Sequence, residues 1–201
     1  MDFNAIIKRV MAIITKPVEE WEVIKNETMS TSDMYMKYAV ILAAIPAIAG
    51  FIGWMVIGKS YAFITVRMPV SNALIWAVMI YALNLVSPFI LALIMDALAP
   101  SFGATKDMNR SLKVAIFSST AAWVGGIFNI IPSLALIGSL FGLYGLYLLY
   151  LGMKSLKESP ADKLMGYVIV TIVVEVVLFF LIGFIVGAVA FGSSFGTSLT
   201  Y

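Results

Sequence analysis

Apolar residues follow two patterns along this chain. Near the start, Phe3, Ile6, Ile7, Val10, Met11 and Ile14 recur at helical spacing, with Lys8 and Arg9 off that stripe. The spacing predicts an amphipathic helix lying in a membrane interface. Thr15-Lys16-Pro17 then restarts the chain. Proline fits a first helical turn, and Glu19 and Glu20 suit the positive end of a helix dipole, so a short second helix carrying Val18, Trp21 and Ile24 follows. From Tyr35 onward the apolar residues become nearly continuous, in five segments at about 35–57, 70–98, 111–131, 133–153 and 161–191. Each holds the roughly 20 residues that an apolar layer about 30 Å thick requires. Backbone groups find no water there, which makes helices the expected structure.

Punctuation supports these limits. Ser32 is placed to cap the first span, with Tyr38 and Trp54 near its two interfaces and Pro46 placed to bend it. Pro88 lies inside the second span and Pro132 opens the fourth. Ser159-Pro160-Ala161-Asp162 reads as cap, first-turn proline and early acid at the start of the fifth. The tight turn at Asn129–Ser133 leaves one alternative, a re-entrant hairpin made of spans three and four. The expected fold is an all-α integral membrane protein: an interfacial amphipathic leader (1–34), a five-helix transmembrane bundle (35–191) and a short tail (192–201).

Composition agrees. Of 201 residues, 62% are hydrophobic and 12% charged, and the mean hydropathy is +1.01. Soluble domains are about 45–50% apolar and about 25% charged. The opening Asp2-Phe3-Asn4-Ala5-Ile6-Ile7-Lys8-Arg9 lacks the continuous apolar core of a secretory signal. Eleven basic residues (Lys8, Arg9, Lys16, Lys25, Lys37, Lys106, Arg110, Lys113, Lys154, Lys157 and Lys163) fall on one side of the five-span arrangement, against Lys59 and Arg67 on the other. The positive-inside rule then places the N-terminus in the cytoplasm and the C-terminus outside. The net charge of +2 leaves no basic patch for nucleic acid.

Glu175 is the most informative single residue. It falls well inside the fifth span, where an ionised carboxylate is costly and acids usually face a cavity or a partner. Tyr167 and Thr171 share its helical face. Tyr81, Asn84, Pro88 and Asp96 form a polar face on span two, and Ser118, Ser119 and Asn129 offer polar groups on span three. No lysine or arginine lies mid-span to pair with Glu175, so it is expected to be neutral and hydrogen-bonded to a hydroxyl or amide of span two or three. The alternatives are a proton or cation site, or a contact with a lipid head group or partner. The candidate intramembrane polar site is therefore Glu175, Thr171, Tyr167, Asn84, Tyr81, Ser118 and Asn129. Small residues four apart let helices approach closely. Gly183 with Gly187, Gly138 with Gly142, and Ser118 with Ala122 and Gly126 are expected to pack inside the monomer, with a dimer seam as the alternative.

Catalytic chemistry finds no support. The chain has no cysteine and no histidine, which removes disulfides, thiolates, the commonest general base and the usual zinc ligands. It has no phosphate-cradling glycine loop, the serines of span three lack a base, and every lysine lies near an interface. No enzyme activity, metal or cofactor is expected.

A resemblance rests on the middle of the chain: Leu98-Ala99-Pro100-Ser101-Phe102-Gly103, then Leu112-Lys113-Val114-Ala115-Ile116-Phe117-Ser118-Ser119-Thr120, Ile130-Ile131-Pro132, and Leu143-Tyr144-Gly145-Leu146-Tyr147-Leu148-Leu149-Tyr150-Leu151-Gly152. With Lys16-Pro17 and Glu20-Trp21 in the leader, the chain resembles prokaryotic members of the Yip family over nearly its whole length. The resemblance implies five spans, a cytoplasmic N-terminus and a membrane-organising or trafficking role. Eukaryotic relatives are associated with Rab-type GTPases and with vesicle budding and fusion. The short leader, the missing Asp-Leu-x-Gly-Pro element and the replacement near Ala121 of a third-span proline depart from them, so GTPase binding is not carried over. The expected setting is a prokaryotic cytoplasmic membrane. The expected partners are the bilayer and a second copy or another membrane protein. The alternative function is a small ion, proton or solute transporter or channel with Glu175, Asn84 and Asn129 lining its path.

Overall fold

The computed structural model describes residues 3–61 and 64–196. Five helical segments are long and apolar enough to cross a bilayer: Thr31–Ile57, Val70–Phe102, Met108–Ile130, Leu136–Leu156 and Ala161–Ile185, spans one to five below. Two leader helices precede them, α1 (Phe3–Thr15) and α2 (Pro17–Asn26), with Pro17 opening α2 and Glu19 and Glu20 in its first turn. The loop after span one holds a short antiparallel ribbon, β1 (Lys59–Tyr61) against β2 (Ile64–Val66), in the register Lys59 to Val66. That ribbon is the one addition to the expected all-α bundle among the described residues.

Caps move two span starts toward the N-terminus. Ser30, rather than Ser32, caps span one, its hydroxyl accepting from the Asp33 amide at 3.0 Å. Asp107 caps span three by accepting from the Arg110 amide at 3.0 Å, which brings Ser111 inside the helix. Span five starts at Ala161 as expected, but the Ser159 hydroxyl donates to the Phe102 carbonyl at 3.2 Å instead of capping. The span-five helix continues to Gly196, so the expected tail is helical from 192 to 196, and 197–201 lie outside the described residues.

Span three is the centre of the bundle: 72% of its most apolar stretch is buried, against 12% for span five. It is not one continuous helix, running α-helical over Met108–Ser118 and Thr120–Gly125 and then 3-10 over Gly126–Ile130. Ser118 and Ser119 both donate to the Ala115 carbonyl, at 3.1 and 2.8 Å. Side-chain bonds of this kind compete with the backbone ladder and bend helices. Glycines then admit neighbouring elements. A Cβ on Gly126 would lie 2.5 Å from Pro46 of span one, and one on Gly125 would lie 2.4 Å from Phe141 of span four.

The leader packs into this bundle rather than only lying beside it. Ile6, Arg9 and Ile13 form the buried face of α1, while Phe3 (68% exposed), Ile7 and Met11 (60%) point outward. The expected single stripe is thus two faces. Arg9 lies between two buried isoleucines at helical spacing, not on the polar side. Tyr38 is corrected likewise. It is fully buried, with its hydroxyl 2.8 Å from that of Thr120 and its ring 4.9 Å from Phe117, so it is a core residue and not an interface anchor.

Candidate functional site

Two polar regions are built into the bundle. The first ties the leader to the spans. The Arg9 guanidinium bonds Glu20 and holds both carboxylate oxygens of Glu27, at 2.5 and 2.7 Å, while lying over the Phe117 ring at 5.8 Å. Burial works against its charge, but the carboxylates of Glu27 and Glu20 outweigh that and push its pKa above the ordinary arginine value. Lys113 of span three donates to the carbonyls of Ile24 and Glu27, at 3.0 and 2.5 Å. Tyr144 of span four donates to Ile14 at 2.7 Å, and Trp21 lies flat on Gly152, where a Cβ would come within 2.7 Å of its ring.

Beside it the ends of spans two to five share a second set of charges. Lys157 is fully buried, donates to the Ser111 hydroxyl at 2.7 Å and pairs with Asp96 at 3.6 Å. Burial pulls its pKa below the ordinary lysine range, against the pull of Asp96 and Asp107. Arg110 pairs with Glu158 at 2.7 Å, and Thr105 donates to the same carboxylate at 3.0 Å. Those bonds hold the Glu158 carboxyl below its usual range. None of these residues belongs to the candidate site drawn from the sequence, where the lysines and arginines served only to set orientation. The helical register of Arg9 with Ile6 and Ile13, and of Lys113 inside Leu112-Lys113-Val114, was the available signal.

The second region is a cavity of about 400 Å³ between spans two, three, four and five. Glu175 lines it together with Asn84, Ser87, Ser118, Ser119 and Ser139, and the rest of its wall is apolar, including Leu91, Trp123 and Phe180. Asn84 is held from both ends, donating to the Ile80 carbonyl at 2.9 Å and accepting from the Trp123 indole at 3.0 Å. The Oε2 atom of Glu175 is buried and has no hydrogen-bond partner among the described residues. Glu175 therefore faces polar groups of spans two and three across a cavity, as the sequence suggests, but without the expected hydrogen bond.

Of the other candidate residues, Asn84 and Ser118 reach this cavity and the rest do not. Tyr167 is buried one turn beyond Thr171, stacks on Phe102 at 5.1 Å and donates to the Met95 carbonyl. Thr171 is buried and donates back to the Tyr167 carbonyl at 2.8 Å. Tyr81 donates to the Val40 carbonyl at 3.2 Å. Asn129 sits in the 3-10 segment that ends span three, where its carbonyl would be 2.1 Å from a Cβ on Gly53. The small-residue expectation holds only in part. Gly138 packs on the Gly125 carbonyl, at 3.0 Å from a Cβ, whereas Gly142, Gly183 and Gly187 have no neighbour within 4 Å of one among the described residues. Gly126, another expected position, packs on Pro46, and further close approaches occur at Gly50, Gly53, Gly125 and Gly152. Among the described residues no group of three metal-ligating side chains comes together.

Residues 11–196, which include every span and most of the leader, match the Yip1 domain. The chain belongs to the Yip1 family. It is similar to the inner membrane protein YohC of Escherichia coli K12, at 24% identity over 138 residues, covering 67% of this chain and 71% of YohC. YohC of E. coli O6:H1 strain CFT073 gives the same figures. No solved structure matches. The family assignment and the five apolar helices agree: this is a polytopic integral membrane protein with a Yip1 domain.

Proposed function

We propose that this Yip1-family protein is a non-enzymatic membrane-organising scaffold of a prokaryotic cytoplasmic membrane. The single observation that carries the reading is the leader. Its inner face is fixed to spans three and four by Lys113, Tyr144 and Trp21, with Arg9 tying α1 to Glu20 and Glu27 within the leader and lying over Phe117 of span three, while Phe3, Ile7 and Met11 remain exposed along its outer face. An apolar helical stripe fastened to a bundle can enter the head-group layer and pass its position to the spans. The basic bias places that leader, and the N-terminus, on the cytoplasmic side. In this reading the partners are lipid and a second copy or another membrane protein.

Replacing Ile7 and Met11 with glutamate tests it. The stripe should leave the bilayer surface, read as faster protease cleavage of the leader in vesicles, while thermal unfolding of the spans is unchanged. Unchanged protease access would overturn the wedge. A reporter fused after Tyr201 should be active only on the non-cytoplasmic side, and cytoplasmic activity would overturn the orientation. A transporter built around Glu175 is the second reading, favoured by the convergence of Asn84, Ser118 and Glu175 on one cavity. The mostly apolar wall speaks against a hydrated path. Ion or proton flux in liposomes that Glu175→Gln abolishes would decide for transport.

A further inference from the structure

We propose that the cavity between spans two and five binds an amphiphile from the bilayer, a single apolar chain carrying a primary ammonium head, with that head against Glu175. The size and wall come first. About 400 Å³ of mostly apolar space lies among membrane helices, large enough for a small ligand rather than one trapped water. Its rim includes Leu143, Val176 and Phe180, all exposed on the outer faces of spans four and five, and Phe180 is 76% exposed. Span five packs mainly on span two and touches span four sparingly, so the mouth between spans four and five opens toward lipid.

The polar groups then select the head. Buried polar atoms in folded proteins are nearly always bonded, yet Oε2 of Glu175 is not. Its neighbours on the wall do not serve it. Ser118 and Ser119 donate their protons to the Ala115 carbonyl, and Ser139 donates to the Leu136 carbonyl at 2.6 Å. What those hydroxyls still offer the cavity is oxygen lone pairs. Glu175 is the one ionisable side chain on the wall. Ser87 and Asn84 add neutral donors to the same wall, but a carboxylate is best met by a cationic donor, since bonds between ionised groups are about twice as strong as neutral ones. An alkylammonium supplies three N–H donors and a tail for the apolar wall. A carboxylate or sulfate head would meet like charge at Glu175.

Trp123 lies on the cavity wall and serves as the probe. The protein is placed in phosphatidylcholine nanodiscs, and tryptophan quenching by 12-bromododecylamine is titrated. We expect a saturable component that is absent in Trp123→Phe and weakened about tenfold or more in Glu175→Gln, with unfolding temperature unchanged. Bromododecanol and bromododecanoate should give only the linear quenching of lipid partition. Should the glutamine variant fail to fold, Glu175→Leu removes the acceptor and reads the same loss. Linear quenching alone by the amine, equal saturation by the alcohol, or unchanged binding after loss of the carboxylate would each overturn the proposal. The scaffold reading stands or falls separately, on the leader.

Discussion

The leader junction and the mid-bundle cavity both place ionisable groups inside a membrane protein, and they handle them in opposite ways. At the junction Arg9 meets two carboxylates, and Lys113 and Lys157 are each bound by oxygen atoms of neighbouring elements. In the cavity Glu175 stands with one oxygen buried and unbonded. A buried charge whose partners are all supplied by the protein fixes how elements meet. A buried acceptor left open reserves capacity for something else. The difference separates charges that join elements of this fold from a carboxyl group that the described residues leave open.

Removing each charge should break the symmetry between them. Arg9→Leu leaves Glu20 and Glu27 facing apolar packing and should destabilise the protein by roughly 3 kcal/mol, the lower end for a broken buried pair because Glu27 is partly exposed. Glu175→Leu removes a group with no protein bond to lose and should change stability by less than about 1 kcal/mol. Thermal unfolding in detergent measures both, and equal losses would erase the distinction. Gly152→Ala sharpens the junction side. The added methyl would press on the fully buried Trp21 ring, at a cost of about 1–3 kcal/mol and with faster cleavage of the leader.

The smallest expected effect is one of pH. Arg110 and Thr105 hold the Glu158 carboxyl below its ordinary value of 4.5 in the folded chain. A depressed carboxyl adds stability above its unfolded pKa and loses it as pH falls through the folded one. The unfolding temperature should therefore drop slightly more in the wild type than in Glu158→Gln on acidification from about pH 6 to about pH 4. An identical drop in both proteins would show that this exposed pair contributes nothing.

The sequence made the spans legible because a membrane helix is selected residue by residue for length and apolarity, and Pro17 and Pro160 announced helix starts through backbone chemistry alone. The cavity was legible in part. Glu175, Asn84 and Ser118 stand out as polar in apolar runs, whereas Tyr167, Thr171 and Tyr81 look the same in sequence and are used on nearby carbonyls. The junction was not read because its residues are ordinary charges near span ends, where solvation is the usual fate. Only the docking of the leader decides that Arg9 turns inward. The glycine pattern misled for a related reason. Spacing of four marks a face, but the partner comes from tertiary placement, and it is Trp21 that covers Gly152 while Gly183 and Gly187 stay uncovered.

The length of span five has a consequence for the surrounding lipid. Its segment of 25 residues is about 37 Å long, longer than a hydrocarbon layer of roughly 30 Å; spans one and two, at 27 and 33 residues, are longer still, but span five is the least buried, at 12%. A helix too long for its bilayer leans or thickens the lipid around it. Span five has little packing to hold it upright, so acyl-chain length becomes a variable that sets how far it leans away from span four. Bilayer thickness is therefore expected to alter the gap between those two helices.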